Sequence, residues 1–406
     1  MKVSCCIAGG GPAGVMLGFL LARAGVAVTV LEKHKDFLRD FRGDTIHPST
    51  LQVMHELGLL EAFLKRPHDE VGNLRLIIGG REIRMADFSH LPTVCKFVAL
   101  MPQWDFLDFL AEQGKRYPTF DLRMQAEATE LIVEGGRVVG VRATGPEGPL
   151  DIRADLIVGA DGRHSIVRER AGLEVVSLGA PIDVLWMRMS RRPDDPGQTG
   201  GFINYGHMLV TLNRGNYWQC AFVIRKGGYD VVHARGLDAF RAAIVRLAPY
   251  LADRVGELTD WDDIKLLTVT IDRLTRWWRP GLLCIGDAAH AMSPVGGVGI
   301  NLAVQDAIAA ANILAVPLRE GRVTTEQLAA VQRRRTFPMK VIQKMQVTVQ
   351  NRLIDPLLNS DKPIEAPWLL RLFNRIPFLQ RIPARLVGIG VRPEHVRTAP
   401  HAAPVK

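Results

Sequence analysis

Gly9, Gly11 and Gly14 stand at Gly-x-Gly-x-x-Gly spacing around Pro12 and Ala13, and Glu32 closes the next apolar run with Lys33 behind it. These residue types at this spacing suit a dinucleotide. The first glycine permits a tight turn, the second lets the backbone approach a pyrophosphate, and the third lets the following helix pack closely on the strand. Amides at a helix N-terminus attract phosphate charge, and a carboxylate in the place of Glu32 accepts hydrogen bonds from ribose hydroxyls. Such an acid serves NAD and FAD alike, so this motif leaves the choice between them open.

Two further acids follow the same pattern. Asp161-Gly162 ends the buried run at residues 156–160, and Gly286-Asp287 ends the run that begins at Gly281. Beyond Asp287, Pro294-Val295-Gly296-Gly297-Val298-Gly299-Ile300-Asn301 opens a helix expected to continue through Leu318. The N–H groups of such a glycine-rich helix start suit an electron-rich ring carbonyl. Three buried strands thus end in glycine turns bearing Glu32, Asp161 and Asp287.

The elements that must position these acids are legible from apolar periodicity. Residues 3–8 read as a strand, 15–24 as a helix stopped by Gly25, and 26–32 as a second strand. Helices are expected at 49–60 and 103–116, a hairpin around Gly79-Gly80, and a strand, turn and returning strand over 121–144. From 181 to 229 the pattern turns antiparallel, with strands at 184–189, 202–211 and 217–226 and a hairpin turn at Asn213-Arg214-Gly215-Asn216. A helix at 237–254 closes that block, which is rich in aromatic residues: Trp186, Phe202, Tyr205, Tyr217, Trp218 and Phe222.

With 406 residues, 47% hydrophobic and 23% charged, the chain is of ordinary globular composition and long enough for two or three domains. The first strand begins at once, leaving no room for a leader, and the apolar stretch at 300–318 contains Asn301, Gln305, Asp306 and Asn312, so a cytoplasmic protein is expected. Cys5, Cys6, Cys95, Cys220 and Cys284 lack metal-ligand spacing and read as buried thiols. The net charge of +9 is concentrated in residues 333–397, where thirteen Lys or Arg face four Asp or Glu. No zinc site, recognition helix or aromatic-interleaved basic strand accompanies that charge, which argues against nucleic acid. Apolar side chains there alternate with Arg371, Arg375, Arg381 and Arg385, while Pro377 and Pro383 limit helices to short pieces. The segment reads as a basic amphipathic cover or, alternatively, as a peripheral contact with an anionic membrane.

Together the three motifs resemble those of the single-component FAD-dependent aromatic hydroxylases, the para-hydroxybenzoate hydroxylase family. The matching residues are Gly9-x-Gly11-x-x-Gly14 with Glu32, then Asp161-Gly162-Arg163-His164-Ser165-x-x-Arg168, then Gly286-Asp287-Ala288-Ala289-His290 with Pro294, Gly296, Gly299 and Asn301. The resemblance implies an α/β fold: a discontinuous Rossmann-like FAD-binding domain (1–75, 95–178 and 270–335), an inserted antiparallel β-sheet substrate domain (76–94 and 179–269), and a helical, basic C-terminal segment (336–406). It implies that Glu32 holds the adenosine ribose, that Arg42 and Gln103 contact the diphosphate and ribityl region, and that Ala128 approaches the adenine. Asp287 would bind the ribityl or pyrophosphate part, and Ile300 and Asn301 N–H groups would face the flavin ring. The middle motif, with Asp161, would serve both FAD and NAD(P)H, and His164, Arg163 and Arg42 are the candidates for reaching the nicotinamide nucleotide.

The implied reaction uses NADH or NADPH and O2 to hydroxylate an aromatic, polyketide-like or quinone-like small molecule through a flavin C4a-hydroperoxide. Tyr205, His207 and Tyr217 are candidates to bind or deprotonate a phenol, depending on the sheet face they take. The alternative within the fold is a reductase or epoxidase of a lipophilic substrate.

Overall fold

The computed structural model describes residues 2–38, 44–197, 199–360, 362–366 and 368–401. The apolar runs that flank the glycine turns pair side by side. Neighbours in the larger sheet run Trp278–Arg279, Leu282–Cys284, Gly148–Gly159, Lys2–Ala8, Val28–Glu32 and Phe120–Met124, and the last five are mutually parallel. Parallel strands are buried on both faces, which is why these runs are almost continuously apolar. Cys5, Cys6 and Ile7 are fully buried, and all five cysteines are free and buried. Burial pushes the Cys6 thiol up to about 12, so it is no nucleophile at neutral pH.

The Pro12–Arg23 helix packs between the Gly299–Arg319 and Gln103–Lys115 helices. Gly18 makes that fit on the sheet possible, since a Cβ there would meet Val30 at 2.6 Å and Phe120 at 2.9 Å. The Gly299–Arg319 helix belongs to a stretch long and apolar enough to cross a membrane, yet 83% of the relevant window is buried inside the molecule. It is a core helix.

A second sheet runs Lys265–Leu267, Ile182–Ser190, Tyr217–Arg225, His207–Asn213, Gly200–Asn204, Asn73–Ile78 and Arg81–Asp87. It is antiparallel except where Gly200–Asn204 lies parallel to Asn73–Ile78. Strand alternation gives its two faces different neighbours. Trp218, Cys220, Phe222 and Ile224 pack with Phe240, Ile244 and Leu247 of the Leu237–Leu247 helix, whereas Val184, Trp186 and Ala221 pack toward Val98 and Leu100.

Several expected elements end elsewhere, each for a local reason. The strand expected over 202–211 is a hairpin that turns at Tyr205 (φ 47°) and Gly206 (φ 72°). Gln125 (φ 55°) breaks the strand expected from residue 121 into Phe120–Met124 and Glu127–Glu134. The helix expected to reach 254 stops at Leu247, where Ala248 turns extended before Pro249. Pro383 lies inside a continuous helix, Pro377–Gly388, rather than ending one. The expected boundaries at 75 and 335 fall within the Asn73–Ile78 strand and the Thr325–Val349 helix.

Candidate active site

The parallel sheet delivers its acids to one edge. Val28–Glu32, Lys2–Ala8, Gly148–Gly159 and Leu282–Cys284 are consecutive neighbours of the same direction, so Glu32, the Gly9–Gly14 turn, Asp161 and Asp287 all leave from their C-terminal ends. These turns touch. A Cβ on Gly9 (φ +109°) would lie 2.3 Å from the Ala160 carbonyl oxygen, and one on Gly286 would lie 3.0 Å from the Ala13 side chain. Gly14 is closed in the same way, because its Cβ would stand 1.9 Å from the Gly9 carbonyl oxygen. Gly11 differs: a Cβ there would meet nothing within 4 Å. It is also the N-cap of the Pro12–Arg23 helix and supplies no side-chain cap, so the first amides of that helix have no intrahelical acceptor.

The Glu32 carboxylate accepts from Gly10 N–H at 3.1 Å and His34 N–H at 3.0 Å, which fixes it beside the turn. Ala126 N–H donates to the Glu32 carbonyl at 2.9 Å and Lys33 pairs with Glu127 at 3.8 Å, bringing Ala128 alongside. Gln103 begins its helix half-buried. The Asp161 carboxylate accepts from Ser165 Oγ at 2.5 Å and Val167 N–H at 3.1 Å, so it caps the Ile166–Arg170 helix. Burial raises its pKa, opposed by those hydrogen bonds. Arg168 pairs with Asp272 at 3.5 Å, Arg163 reaches the Thr268 carbonyl at 3.4 Å, and His164 is exposed. Arg42 lies outside the described residues.

Pro294 starts the second turn, in which Gly296 (φ 79°) and Gly297 (φ 60°) precede the Gly299–Arg319 helix. Gly299, Ile300 and Asn301 form the first turn of that helix, and a Cβ on Gly299 would meet open space. The Asn301 side chain serves the protein. Its Oδ1 accepts from His47 N–H (3.0 Å) and Thr50 Oγ1 (2.6 Å), and its Nδ2 donates to the Thr45 carbonyl at 3.3 Å. Thr45 Oγ1 donates to Gly297 O at 2.6 Å. His47 Nδ1 lies 2.6 Å from the Val387 carbonyl, which can only accept, so Nδ1 carries the proton. Burial lowers the His47 pKa to about 4.

One residue before Thr45, buried Asp44 joins this turn to the second sheet. It pairs with Arg214 and accepts from Gln219 Nε2 at 3.2 Å, while Arg214 Nε lies 3.3 Å from Gln219 Oε1. Arg214 Nη1 is buried with no partner among the described residues, and burial lowers the Arg214 pKa to about 10. Alternation puts Tyr217, stacked under Arg188 at 3.9 Å, on the same sheet face as Gln219. Tyr205 lies by Arg246 and His207 by Phe222, on the opposite face, which the Leu237–Leu247 helix covers. The structure therefore separates these two residues from Asp44 and the turns.

The largest omission from the sequence reading is the Thr325–Val349 helix. Gln343 Nε2 donates to the Asp272 carbonyl at 2.7 Å, Gln346 Nε2 to the Ser293 and Val295 carbonyls at 2.8 and 2.9 Å, and Gln350 Nε2 to Ser293 Oγ at 2.8 Å. Arg335 holds Asp306 at 2.9 Å, and Asp306 in turn accepts from Gly286 N–H at 3.1 Å and meets His290 at 2.6 Å. Burial favours the neutral acid, but His290 and Arg335 outweigh it and the Asp306 pKa is lowered. The Asp287 turn and the Pro294 turn are thus both pinned from this helix. The only sequence signal was glutamines recurring on the apolar side of an amphipathic stretch.

The open space at Gly11, the uncapped helix start and the fixed Glu32 carboxylate fit the pyrophosphate and ribose of FAD. The FAD binding domain family matches the chain over residues 2–345. The chain belongs to this family. It is 34% identical over 400 residues to a 6-methylpretetramide 4-monooxygenase of Streptomyces rimosus, covering 97% of this chain and 94% of that protein. It is 28% identical over 316 residues to a rifampicin monooxygenase of Streptomyces venezuelae, covering 74% and 61%. Among solved structures, p-nitrophenol 4-monooxygenase from Pseudomonas putida DLL-E4 superposes with a TM-score of 0.76 at 21% identity, covering 94% of this chain and 97% of that one. The protein is an FAD-dependent monooxygenase with NAD(P)H as co-substrate.

Proposed function

We propose that the enzyme hydroxylates an electron-rich aromatic or polyketide-like ring held between the Pro294–Asn301 turn and the sheet face that carries Tyr217 and Gln219, with Arg214 of the adjoining hairpin turn. FAD supplies the oxygen-activating chemistry, using electrons from NAD(P)H. The protein's part is to bind, orient and exclude water. One observation carries this reading: the buried Asp44–Arg214–Gln219 cluster sits one residue from Thr45, which is bonded to Gly297. A polar group on the second sheet is thereby fixed beside the turn expected at the flavin ring. Arg214 is suited to an acidic ring oxygen, which it would hold as the anion.

The same reading assigns roles around the cofactor. Glu32 holds the adenosine ribose, its carboxylate positioned by the Gly10 and His34 amides. The N–H groups of Gly11, Ala13 and Gly14 face the pyrophosphate, with Pro12 setting the helix start, Gln103 and Asp287 face the ribityl chain, and Gly299, Ile300 and Asn301 N–H groups the ring carbonyl. His164, exposed beside the Asp161 turn, remains the candidate for the nicotinamide nucleotide. The parallel sheet and its helices act as the FAD-binding domain, the second sheet as an inserted substrate domain, and the residues that follow the Thr325–Val349 helix as a C-terminal segment. The enzyme works in the cytoplasm, with peripheral membrane contact through that segment when its substrate is lipophilic.

Support comes from the relatives, which are named for monooxygenation of tetracycline-type and rifampicin substrates. The test is NAD(P)H oxidation against a panel of phenols, polycyclic phenols and quinone precursors under isotopically labelled O2. Stimulated oxidation with one labelled oxygen in the product is expected. Anaerobic reduction of a substrate without oxygen insertion would replace this reading with the reductase.

A further inference from the structure

The helices Trp368–Arg375 and Pro377–Gly388 cover the Arg81–Asp87 strand with one side only. On the inner side Asn374 exchanges hydrogen bonds with Glu82 O (3.2 Å) and Arg84 N–H (3.3 Å), and Ala384 is buried with Ala86, Phe88 and Leu91. The outer side is apolar and bare. Trp368 is 69% exposed, Phe378 64% and Ile382 60%, with Leu372 and Ile376 exposed beside them. These are five of the thirteen exposed large hydrophobic residues among the described residues, gathered in one short stretch. Trp368 and Leu372 on one helix, and Phe378 and Ile382 on the next, are at four-residue spacing, so each pair forms one stripe, and exposed Ile376 joins the two helices.

Charge decides what fits. Residues 368–385 contain Arg371, Arg375, Arg381 and Arg385 and no Asp or Glu. Arg371 pairs with Glu365 at 2.6 Å, and Arg381 lies over the Phe378 ring at 5.6 Å and 3.2 Å from His90 Nε2, near Asp87, but Arg375 and Arg385 are exposed with no carboxylate partner among the described residues. A second copy on this face would set arginine rows against each other with no acid between them. A bilayer rich in anionic lipid answers both features: its phosphates take the guanidinium groups and its acyl boundary takes the aromatic and aliphatic stripes. Neither helix is long enough to span, so the pair lies in the interface.

We infer that this helix pair docks the enzyme on an anionic membrane surface, with Trp368, Leu372, Ile376, Phe378 and Ile382 inserted and Arg375, Arg381 and Arg385 on lipid phosphates. The inference rests on the proposed handling of a lipophilic ring, and it makes that handling concrete. The Val387 carbonyl of the docked helix receives the His47 hydrogen bond, and His47 N–H is bonded to Asn301, so the lipid-facing helix abuts the turn expected at the flavin.

Flotation of the full-length holoenzyme with phosphatidylcholine vesicles, with and without about one third phosphatidylglycerol, tests it without reference to turnover. Binding to the anionic vesicles only is expected. Phe378→Ser with Ile382→Ser, and separately Arg381→Glu with Arg385→Glu, should each weaken that binding by at least about tenfold. Both variants should keep their bound FAD and basal NAD(P)H oxidation. Absence of wild-type binding to anionic vesicles overturns the inference, as does equal binding by the variants. A lipid-free dimer dissolved by the Phe378→Ser, Ile382→Ser variant would assign the face to a second copy and overturn it too. None of these outcomes touches the hydroxylation reading, which the labelled-oxygen experiment decides.

Discussion

Gly11 and Gly14 belong to one motif but meet opposite surroundings, so the same substitution separates binding from folding. Ala at position 11 puts its methyl into open space at ordinary φ (−75°), whereas Ala at position 14 drives it to 1.9 Å from the Gly9 carbonyl oxygen. Gly11→Ala should therefore melt within a degree or two of wild type as apoprotein yet bind FAD on the order of 100-fold more weakly. Gly14→Ala should lower the apoprotein melting temperature itself. Calorimetry and flavin titration of the two variants check the contrast. His47 adds a pH dependence. Its folded pKa of about 4 lies below the ordinary 6.5, so the unfolded chain takes up a proton that the fold refuses. The stability that the neutral ring contributes is complete above about pH 6.5 and is lost as pH falls toward 4, about 3 kcal/mol in all. Urea midpoints should fall over that range in the wild type and fall less in His47→Gln, in which no imidazole is left to protonate against the Val387 carbonyl. Arg214→Gln should raise KM for an acidic phenol by roughly tenfold or more, readable in steady-state kinetics, and should also lower stability because it leaves the buried Asp44 carboxylate without its guanidinium.

At the scale of elements, the Thr325–Val349 helix acts as a brace for the cofactor turns. Gln346→Leu would strip partners from Ser293 N–H and from the Ser293 and Val295 carbonyls at once. A loss of about 2 kcal/mol is expected, together with weaker flavin retention, measurable by denaturant titration and by flavin fluorescence on dilution. This brace marks the limit of what the sequence discloses. Each glycine turn with its acid was legible because the reason for it is local: a strand, a sharp turn and a helix start within a few residues. The shared edge of Glu32, Asp161 and Asp287 followed from those local units once the strands were known to be parallel. Gln343, Gln346 and Gln350 act on carbonyls far away in sequence, and Asp44 meets Arg214 across two sheets, so no spacing announced either. The sheet face of His207 was hidden for another reason: the turn at Tyr205-Gly206 interrupts the alternation from which a face is read.

The whole molecule is tied together by its late residues. Glu394, almost fully buried, accepts from Arg334 at 2.7 Å and 3.1 Å and lies 3.6 Å from Arg335. Glu394→Ala would leave Arg335 short of compensating charge in the core, costing about 3 kcal/mol and lowering the melting temperature by several degrees. Further on, Val396 N–H reaches Glu56 at 3.0 Å, Arg397 N–H reaches Asn312 at 2.9 Å, and His401 N–H closes on the Arg23 carbonyl at 2.9 Å, at the end of the first helix. Taken in chain order, the cofactor site is completed by residues that lie far beyond its first turn. The glycine turn comes well over two hundred residues before its neighbouring strand at Leu282–Cys284, its brace and its closing strap. A chain folded only as far as its first glycine turn would carry a cofactor fingerprint without a cofactor site, because the strand and helix that complete it come from distant stretches of the sequence.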